Sequence, residues 1–540
     1  MNPISNLDIG IIILYFALVL GIGFYVASKT KTSEDLFLGG RSFTFGLIGL
    51  SLFASNISSA TLIGLTGAAY STGVVQSVYE WLSGVPLIIA AVVFVPLYLR
   101  NRITTIPEFL EKRFDRRSQV FFSIMTIASS VIIEMAGGLY AGSVVLQAFF
   151  PNLVLWHASL GLAIVAGIYT AFGGLKAVVI TDAIQAVILI FGCSVMTYTL
   201  YGQLDFDWAK VIASAPEGHF SMVRDLDDES MPWSGLLLGV PFLGFWYWST
   251  NQYIIQRVLG AKDIRHARWG VILAGFLKVL PLFIMVIPGA LAISLFPAES
   301  FPALADNPDK VFPTIVTQAL PTGLIGLVLA GLISAIMSSV DSTLNSASTL
   351  VIIDFVKPNN PDLPDSTIIN YGRITTVVLM LVAAFWAPNI AHFEGLWSYL
   401  QKMFSILVPP VAAIFLIGVF YKRGNGDGAF WTLVIGTILG ALLFLLTDSA
   451  PWEAIMGEGT EKILNFHYTT NVGIMVAISS LLFVGISNMT PAPDYKRIEA
   501  LTFKKELIND GMEGLPWYQD YRFHILLLVL LMGYILVMFW

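Results

Sequence analysis

Long apolar stretches recur along nearly the whole chain, separated by short polar segments. Each is about 18 residues or longer, enough for a helix to cross a hydrocarbon layer about 30 Å thick. The pattern predicts an all-α integral membrane protein with about fourteen transmembrane helices. The predicted spans cover residues 8–27, 43–71, 74–99, 120–149, 153–171, 177–201, 233–259, 269–295, 321–356, 375–391, 396–421, 429–446, 469–486 and 523–540.

A serine-rich island, SLFASNISSAT at 51–61, lies inside the second apolar stretch. It predicts a membrane helix that breaks midway. Lipid offers no hydrogen bonds to freed backbone groups, so a broken helix persists only where protein, water or a bound solute satisfies them. The break therefore indicates a binding site.

A second interrupted span is predicted five spans later, where Gly235, Gly239, Pro241 and Gly244 precede the run FWYWSTN at 245–251. Two broken helices at corresponding positions are typical of a secondary transporter built from two inverted five-span repeats. We expect one polytopic domain over 1–540 with core repeats at about 43–201 and 233–421. One N-terminal and three C-terminal helices would be additions to that core.

Composition agrees with this, since 56% of the residues are hydrophobic, 12% are charged and the mean hydropathy is +0.77. The first apolar stretch, 9–27, is preceded by no basic residue and is predicted to be a retained span and not a signal peptide. The net charge of −7 is concentrated in loops at 205–229 and 299–309, so nucleic acid is not an expected partner. The single cysteine, Cys193, indicates neither a disulfide nor a metal site.

Basic clusters at 100–117, 257–268 and 496–505 fall in one set of loops, which by the positive-inside rule is cytoplasmic. Both termini then face outward. The expected location is the plasma membrane, specifically a bacterial inner membrane, with lipid around the helices.

Several ionisable residues fall inside predicted spans, where each needs a partner, a cavity or a proton. They are Glu80, Glu134, Asp182, Asp341 and Lys278. A structural ion pair explains any one of them, but the whole set marks the protein's interior. A carboxylate substrate would favour an arginine facing the pocket, and we expect none in the span interiors.

Small and hydroxyl residues at 335, 338, 339 and 342 share one helix face, and Asp341 flanks it. Such residues often serve only helix packing. A dehydrated alkali cation, however, needs several oxygens, which hydroxyls, freed carbonyls and a carboxylate supply.

The aromatic run Trp246, Tyr247 and Trp248 can stack on the apolar face of a solute, and its alternative interpretation is an interfacial belt or packing core. Polar groups that can bond hydroxyls are Asn56, Glu80, Lys278 and Gln401. This set suits a sugar, and also a polyol, an amide or a zwitterion.

An ordered set of motifs resembles the sodium/solute symporter family, and within it the sodium/glucose cotransporter branch, over nearly the full length. The motifs are FLGGRS at 37–42, LSLFASNI at 50–57, TIPEF at 105–109, YTAFGGL at 169–175, TD at 181–182, YW at 247–248 with Gln252 and QR at 256–257, and NSAST at 345–349. The resemblance implies a LeuT-like fold and sodium-driven uptake by alternating access.

Site residues carried over from the family follow position by position. The implied sodium site comprises the carbonyls of Ala54, Ile57 and Ala335 and the hydroxyls of Ser338 and Ser339. The implied sugar site comprises Asn56, Glu80, Ser83, Tyr247, Trp248, Lys278 and Gln401, with Tyr247 also as the inner gate. Outer-gate positions fall on Leu65, Tyr79 and Trp397.

Three departures from the family pattern bear on the substrate. Thr61, Gly244 and Glu134 replace residues that sugar-transporting relatives use, and Thr61 and Glu134 are therefore added to the candidate substrate site. A larger pocket with an added carboxylate is compatible with a glucose- or galactose-like hexose or with a polyol such as myo-inositol.

A second ion is also possible on chemical grounds. Asp182, Ser338, Asp341 and Ser342 are the candidate ligands of a second sodium. The alternative is that Asp341 is protonated or couples a proton. The coupling ion is thus one or two Na⁺.

Rival functions are a sodium symporter of another small polar solute, a channel or a membrane sensor. A sensor would carry a signalling domain, which we do not expect after the last span. An enzyme is not expected, because no nucleophile, metal or nucleotide motif is recognisable.

Overall fold

A computed structural model describes residues 4–28, 32–150, 152–393, 396–447 and 467–540, and the described residues are helical apart from loops and a single β-bridge between Phe43 and Ala261. The helices of the N-terminal part are α1 (Asn6–Ala27), α2 (Ser33–Leu38), α3 (Phe45–Asn56), α4 (Ser59–Thr72), α5 (Val74–Arg100), α6 (Ile106–Arg113), α7 (Arg116–Phe149), α8 (Leu155–Gly202) and α9 (Trp208–Ser214).

Further helices follow in the remaining described residues. They are α10 (Trp233–Leu238), α11 (Val240–Phe245), α12 (Gln252–Leu259), α13 (Ile264–Leu295), α14 (Leu324–Asn359), α15 (Asp365–Ala391), α16 (Leu396–Phe420), α17 (Gly426–Thr447), α18 (Tyr468–Met489) and α19 (Tyr521–Met538).

Among the described residues, 11 helices are long and apolar enough to cross a membrane, and the bent pair α3 and α4 makes 12. The predicted spans at 153–171 and 177–201 form one helical stretch, α8, kinked at Gly174. Gly174 has φ 61° and ψ −177°, a conformation that only glycine adopts without strain. The predicted span 233–259 consists of short pieces, so the count of fourteen stays a prediction, as does the division into two repeats.

The two interrupted helices lie together at the centre of the bundle. α3 packs against α8, α12, α13 and α14, and α4 packs against α13 and α16. More than four-fifths of the most apolar window of α14 is buried, whereas less than a quarter of that of α1 or α19 is. α1 and α19 thus lie at the periphery of the bundle, and α14 lies at its centre.

Candidate functional site

The first break falls at Ile57 and Ser58, within the predicted serine-rich island, and bends the helix by 59°. Ile57 has φ −81° and ψ 80°, and the Ser58 amide donates to the Asn56 carbonyl at 2.9 Å. The Thr61 amide donates to the Ser58 hydroxyl at 3.0 Å, which caps α4. A continuous helix would direct these two amides to the carbonyls of Ala54 and Ile57, so the break frees both carbonyls to bind a ligand.

The serines of α14 face this break. Ser338 Oγ lies 3.4 Å from Ser55 Oγ on α3 and donates to Asp182 Oδ1 on α8 at 2.6 Å. Ser339 Oγ donates to the Ala335 carbonyl. The structure therefore groups the hydroxyl half of the implied sodium site beside the broken end of α3.

Arg257 on α12 lies at the centre of this polar cluster and is fully buried. Its Nε donates to Ser51 Oγ at 2.7 Å, and its Nη2 donates to Ser55, Ser342 and, at 3.3 Å, to Asp182 Oδ2. The expectation that no span interior holds an arginine is wrong. Arg257 lies near the end of the predicted span, and its long side chain reaches inward to neutralise Asp182.

Asp182 is thereby saturated, because Ser51 at 2.6 Å and Ser55 at 3.0 Å also donate to it. Ser342 Oγ lies 3.1 Å from Ser55 Oγ in the same network. Asp341 is buried on the adjacent turn of α14. Three of the four candidate ligands of a second sodium thus belong to one network with Arg257.

The second interrupted span is broken at Gly239, between α10 and α11, and again at Asn251, which follows the aromatic residues. Residues Trp246–Thr250 form a π-helical turn, and Asn251 is extended, with φ −75° and ψ 122°. Asn251 Nδ2 donates to Glu134 Oε1 at 2.7 Å. Across the break, the hydroxyls of Tyr247 and Tyr253 hydrogen-bond to each other. The predicted interruption is confirmed, and Glu134 accepts a hydrogen bond from the residue at which the helix breaks.

A cavity lies between the two breaks. Eight of the nine residues predicted to bind substrate line it: Asn56, Thr61, Glu80, Ser83, Glu134, Tyr247, Trp248 and Gln401. Its wall also includes Ser58, Ala60, Leu243, Gly244, Trp246, Tyr253, Ser339, Thr343, Leu400 and Phe404. Glu134 Oε2 has no hydrogen-bond partner among the described residues. The cavity therefore combines aromatic faces with acceptor oxygens.

Lys278, the ninth residue, lies behind the cavity wall. Its ammonium is fully buried and donates to Glu80 and to Asn56, and it lies 5.6 Å from the centre of the Trp248 ring. A lysine and a carboxylate neutralise each other here, as the sequence required. Lys278 thus orients two residues of the wall and is not itself part of it.

Two predicted outer-gate residues meet at the cavity's edge. The rings of Tyr79 and Trp397 are perpendicular, with centroids 5.3 Å apart, and both line the cavity. Leu65 is fully buried on α4 and is not part of the lining.

Sequence reasoning missed Arg257, Tyr253 and Asn251 as members of this site. Asn251 and Tyr253 could have been identified from the sequence, because they closely follow the aromatic residues Trp246, Tyr247 and Trp248. Arg257 belonged to a recognised motif, but its contacts to α3, α8 and α14 join segments far apart in the sequence.

Known proteins that are similar to this chain in sequence or in fold include sodium-coupled transporters. The sequence profile of the sodium:solute symporter family matches residues 36–436. Sodium/myo-inositol cotransporter 2 of Oryctolagus cuniculus is 34% identical over 531 residues, covering 92% of this chain and 78% of that protein. Sodium/glucose cotransporter 4 of Mus musculus is 33% identical over 535 residues, with coverage of 92% and 78%. A solved structure of a Na⁺-coupled sialic acid symporter in an outward-open state superposes with a TM-score of 0.77 at 21% identity, covering 91% of this chain and 99% of that one.

Proposed function

The chain belongs to the sodium:solute symporter family, and we propose that it imports a hydroxylated, six-membered-ring solute together with Na⁺. The fold is all-helical and LeuT-like, as the resemblance implied. The chain is a multi-pass membrane transporter and not an enzyme, and sodium is the coupling ion. The solute itself is the proposed part.

The cavity between the two breaks is the observation that carries the proposal. Tyr247 and Trp248 offer flat apolar faces, on which the C–H face of a ring can stack. Glu134, Glu80 and Gln401 offer oxygens that accept hydrogen bonds from hydroxyls. A neutral ring with hydroxyls at its edge matches both features at once.

Within this class we propose a glucose- or galactose-like hexose, with myo-inositol as the alternative. Glu134 Oε2, whose hydrogen-bonding capacity no described residue fills, can accept a hydrogen bond from a ring hydroxyl of either solute. Relatives named for myo-inositol and for glucose are similar to this chain at nearly the same identity.

Sodium binding is proposed at the carbonyls of Ala54, Ile57 and Ala335 and the hydroxyls of Ser338 and Ser339. The freed carbonyls at the first break and the nearby hydroxyls of α14 support this sodium site, since a hard cation prefers such oxygens. An ion there would tie α3 to α14. Each ligand would then raise the other's affinity by one shared factor, worth typically about 1–3 kcal/mol.

We propose one sodium ion per solute, and the alternative is a second ion bound by Asp182, Ser338, Asp341 and Ser342. Because Arg257 already neutralises Asp182, we expect one net charge per solute. Reversal potentials in proteoliposomes measure this ratio. Two charges in the wild type, falling to one in Asp341→Asn, would instead support the second ion.

Orientation follows the same proposal. With the basic loops in the cytoplasm of a bacterium, both termini face outward and Tyr79 lies toward the outside. A negative-inside potential then adds about 2.3 kcal/mol per charge per 100 mV to solute accumulation.

Uptake into proteoliposomes tests the function directly. Radiolabelled glucose, galactose and myo-inositol are offered with an inward gradient of Na⁺ or K⁺, and each unlabelled solute serves as competitor. We expect uptake of one ring solute in Na⁺ only. Equal uptake in K⁺, or sodium-dependent uptake of an amino acid alone, would reject the proposal.

Glu134→Gln keeps the shape of the side chain but removes its charge. We expect this substitution to lower the affinity for the preferred solute by about tenfold.

A further inference from the structure

A pair of tyrosine hydroxyls joins the outer gate to a helix outside the expected ten-span core. Tyr79 Oη lies 2.5 Å from Tyr468 Oη, within hydrogen-bond distance. Tyr79 lines the cavity and meets Trp397 edge to face. Tyr468 is the first residue of α18, one of the C-terminal additions.

The start of α18 is fixed to the outer half of the second broken helix. Gly235 and Gly239 come so close to Thr469 that a Cβ on either glycine would overlap it. Ser234 Oγ also lies 3.0 Å from Thr470 Oγ1. Tyr468 therefore holds a defined position relative to α10, whichever way Tyr79 turns.

We propose that Tyr468 is a positioning residue of the outer gate, whose hydroxyl holds Tyr79 against Trp397 in the closed state. This rests on the proposed alternating access, in which Tyr79 must leave the cavity mouth for solute to enter. When Tyr79 moves away, water replaces the lost partner of each hydroxyl. The pair thus contributes only the net value of one hydrogen bond, a shift of roughly twofold to tenfold in the closed-to-open ratio.

A bond of this strength suits a gate. A stronger contact would trap the closed state, whereas the edge-to-face ring contact alone leaves the ring of Tyr79 with less directional constraint. α18 gives the bond its second function, since it connects the mouth of the cavity to the second broken helix through Ser234 and Thr470.

Phenylalanine substitutions isolate the hydroxyl bond because they retain both rings. The reporter is a cysteine at Leu400, a residue that lines the cavity, in a chain whose own Cys193 is replaced by serine. Its rate of modification by a membrane-impermeant methanethiosulfonate added to intact cells measures opening toward the outside. Tyr468→Phe, Tyr79→Phe and the double variant are compared in Na⁺ without solute.

We expect each single variant to be modified roughly twofold to tenfold faster, and the double variant no faster than the singles, since all three lack the same bond. Tyr521→Phe on α19, whose hydroxyl donates to the Ile508 carbonyl at 2.9 Å, is the matched control and should leave the rate unchanged. An unchanged rate in Tyr468→Phe, or a double variant whose acceleration is the product of the two singles, overturns the proposal.

Two further measurements separate this idea from its premises. Thermal midpoints of the variants should match the parent within the error of the measurement, so that faster modification reports gating and not loosening of the fold. Sodium-dependent uptake of glucose, galactose and myo-inositol by the parent tests the proposed function alone: the absence of uptake of all three rejects the proposed solute class even where the modification rates support the hydroxyl bond.

Discussion

At the scale of single residues, the buried charges explain why the site is where it is. Glu80 pairs with Lys278, and Asp182 pairs with Arg257, and none of the four side chains is more than 3% exposed. Each pair satisfies its members and fixes neighbouring polar groups, Asn56 in one case and the α3 serines in the other. The charges are therefore the framework of the cavity wall and of the proposed ion site.

Loss of a proposed sodium ligand should lower the affinity for Na⁺ and leave the choice of solute unchanged. In Ser338→Ala and Ser339→Ala, we expect the Na⁺ concentration for half-maximal uptake to rise about fivefold or more, equivalent to about 1 kcal/mol. Ser346→Ala is the control, because Ser346 is buried on the same helix and its hydroxyl has no hydrogen-bond partner among the described residues. Unaltered sodium dependence in both test variants would argue against this site.

Breaking the Arg257–Asp182 pair should be costly. Arg257→Gln leaves a buried carboxylate without its countercharge, so we expect a loss of about 3–5 kcal/mol in stability, read as a lower thermal midpoint in detergent. The double variant Arg257→Gln with Asp182→Asn should recover part of the lost stability, because no unpaired charge is then buried. Arg100→Gln breaks an exposed pair with Asp510 and should cost at most about 1 kcal/mol. Similar midpoints for Arg257→Gln and Arg100→Gln would contradict this interpretation.

At the scale of elements, a side chain from one helix caps the N-terminus of another that is distant in the sequence. Asp8 on α1 accepts hydrogen bonds from the amides of Gly323 and Gly326 at 2.8 and 2.7 Å, where α14 begins. These amides have no helical partners of their own. The peripheral helix α1 is thus attached to the helix that carries Ser338 and Ser339.

Asp8→Ala should therefore destabilise the protein by about 1–3 kcal/mol, since the buried amide of Gly326 and the partly buried amide of Gly323 lose their acceptor. Asp8→Asn keeps one oxygen in place and should lose less. Thermal midpoints of the purified variants measure the difference. If alanine and asparagine gave equal midpoints, the capping contact would contribute nothing measurable.

At the scale of the whole molecule, the loop before α10 packs onto α5 and contains a buried histidine. His219 lies in this loop, outside the membrane-spanning segments, and only 3% of its surface is exposed. Burial, with a smaller effect of Arg224, lowers the pKa of His219 to about 4. The His219 carbonyl accepts a hydrogen bond from the Val74 amide at 2.9 Å, which joins the loop to α5.

Stability should consequently fall in acid. The pKa of an unfolded histidine is 6.5, so the unfolded chain binds the proton more readily than the folded one between pH 6.5 and about 4. Stabilisation by neutral His219 is complete above this window and lost as pH falls through it. The thermal midpoint of wild type should drop more than that of His219→Gln over this range. Parallel pH curves for the two proteins would refute the assignment.

The sequence by itself determined the features that depend on local chemistry and on lipid. Apolar length predicted membrane helices, and the serine island at 51–61 predicted the first break. The glycines and the proline at 235–244 predicted the interruption of the span at 233–259, because they free backbone groups that a straight helix would satisfy. Eight of the nine candidate substrate residues that the resemblance and its departures indicated line the cavity.

Only the tertiary structure decided which polar groups meet. Arg257 and Asp182 are 75 residues apart, Glu80 and Lys278 are 198 apart, and Tyr79 and Tyr468 are 389 apart. No local pattern specifies such pairs, because they arise when helices from distant segments pack side by side. For that reason Lys278 lies behind the wall, Arg257 lies at the centre of the polar cluster, and Tyr468 of α18 lies beside Tyr79.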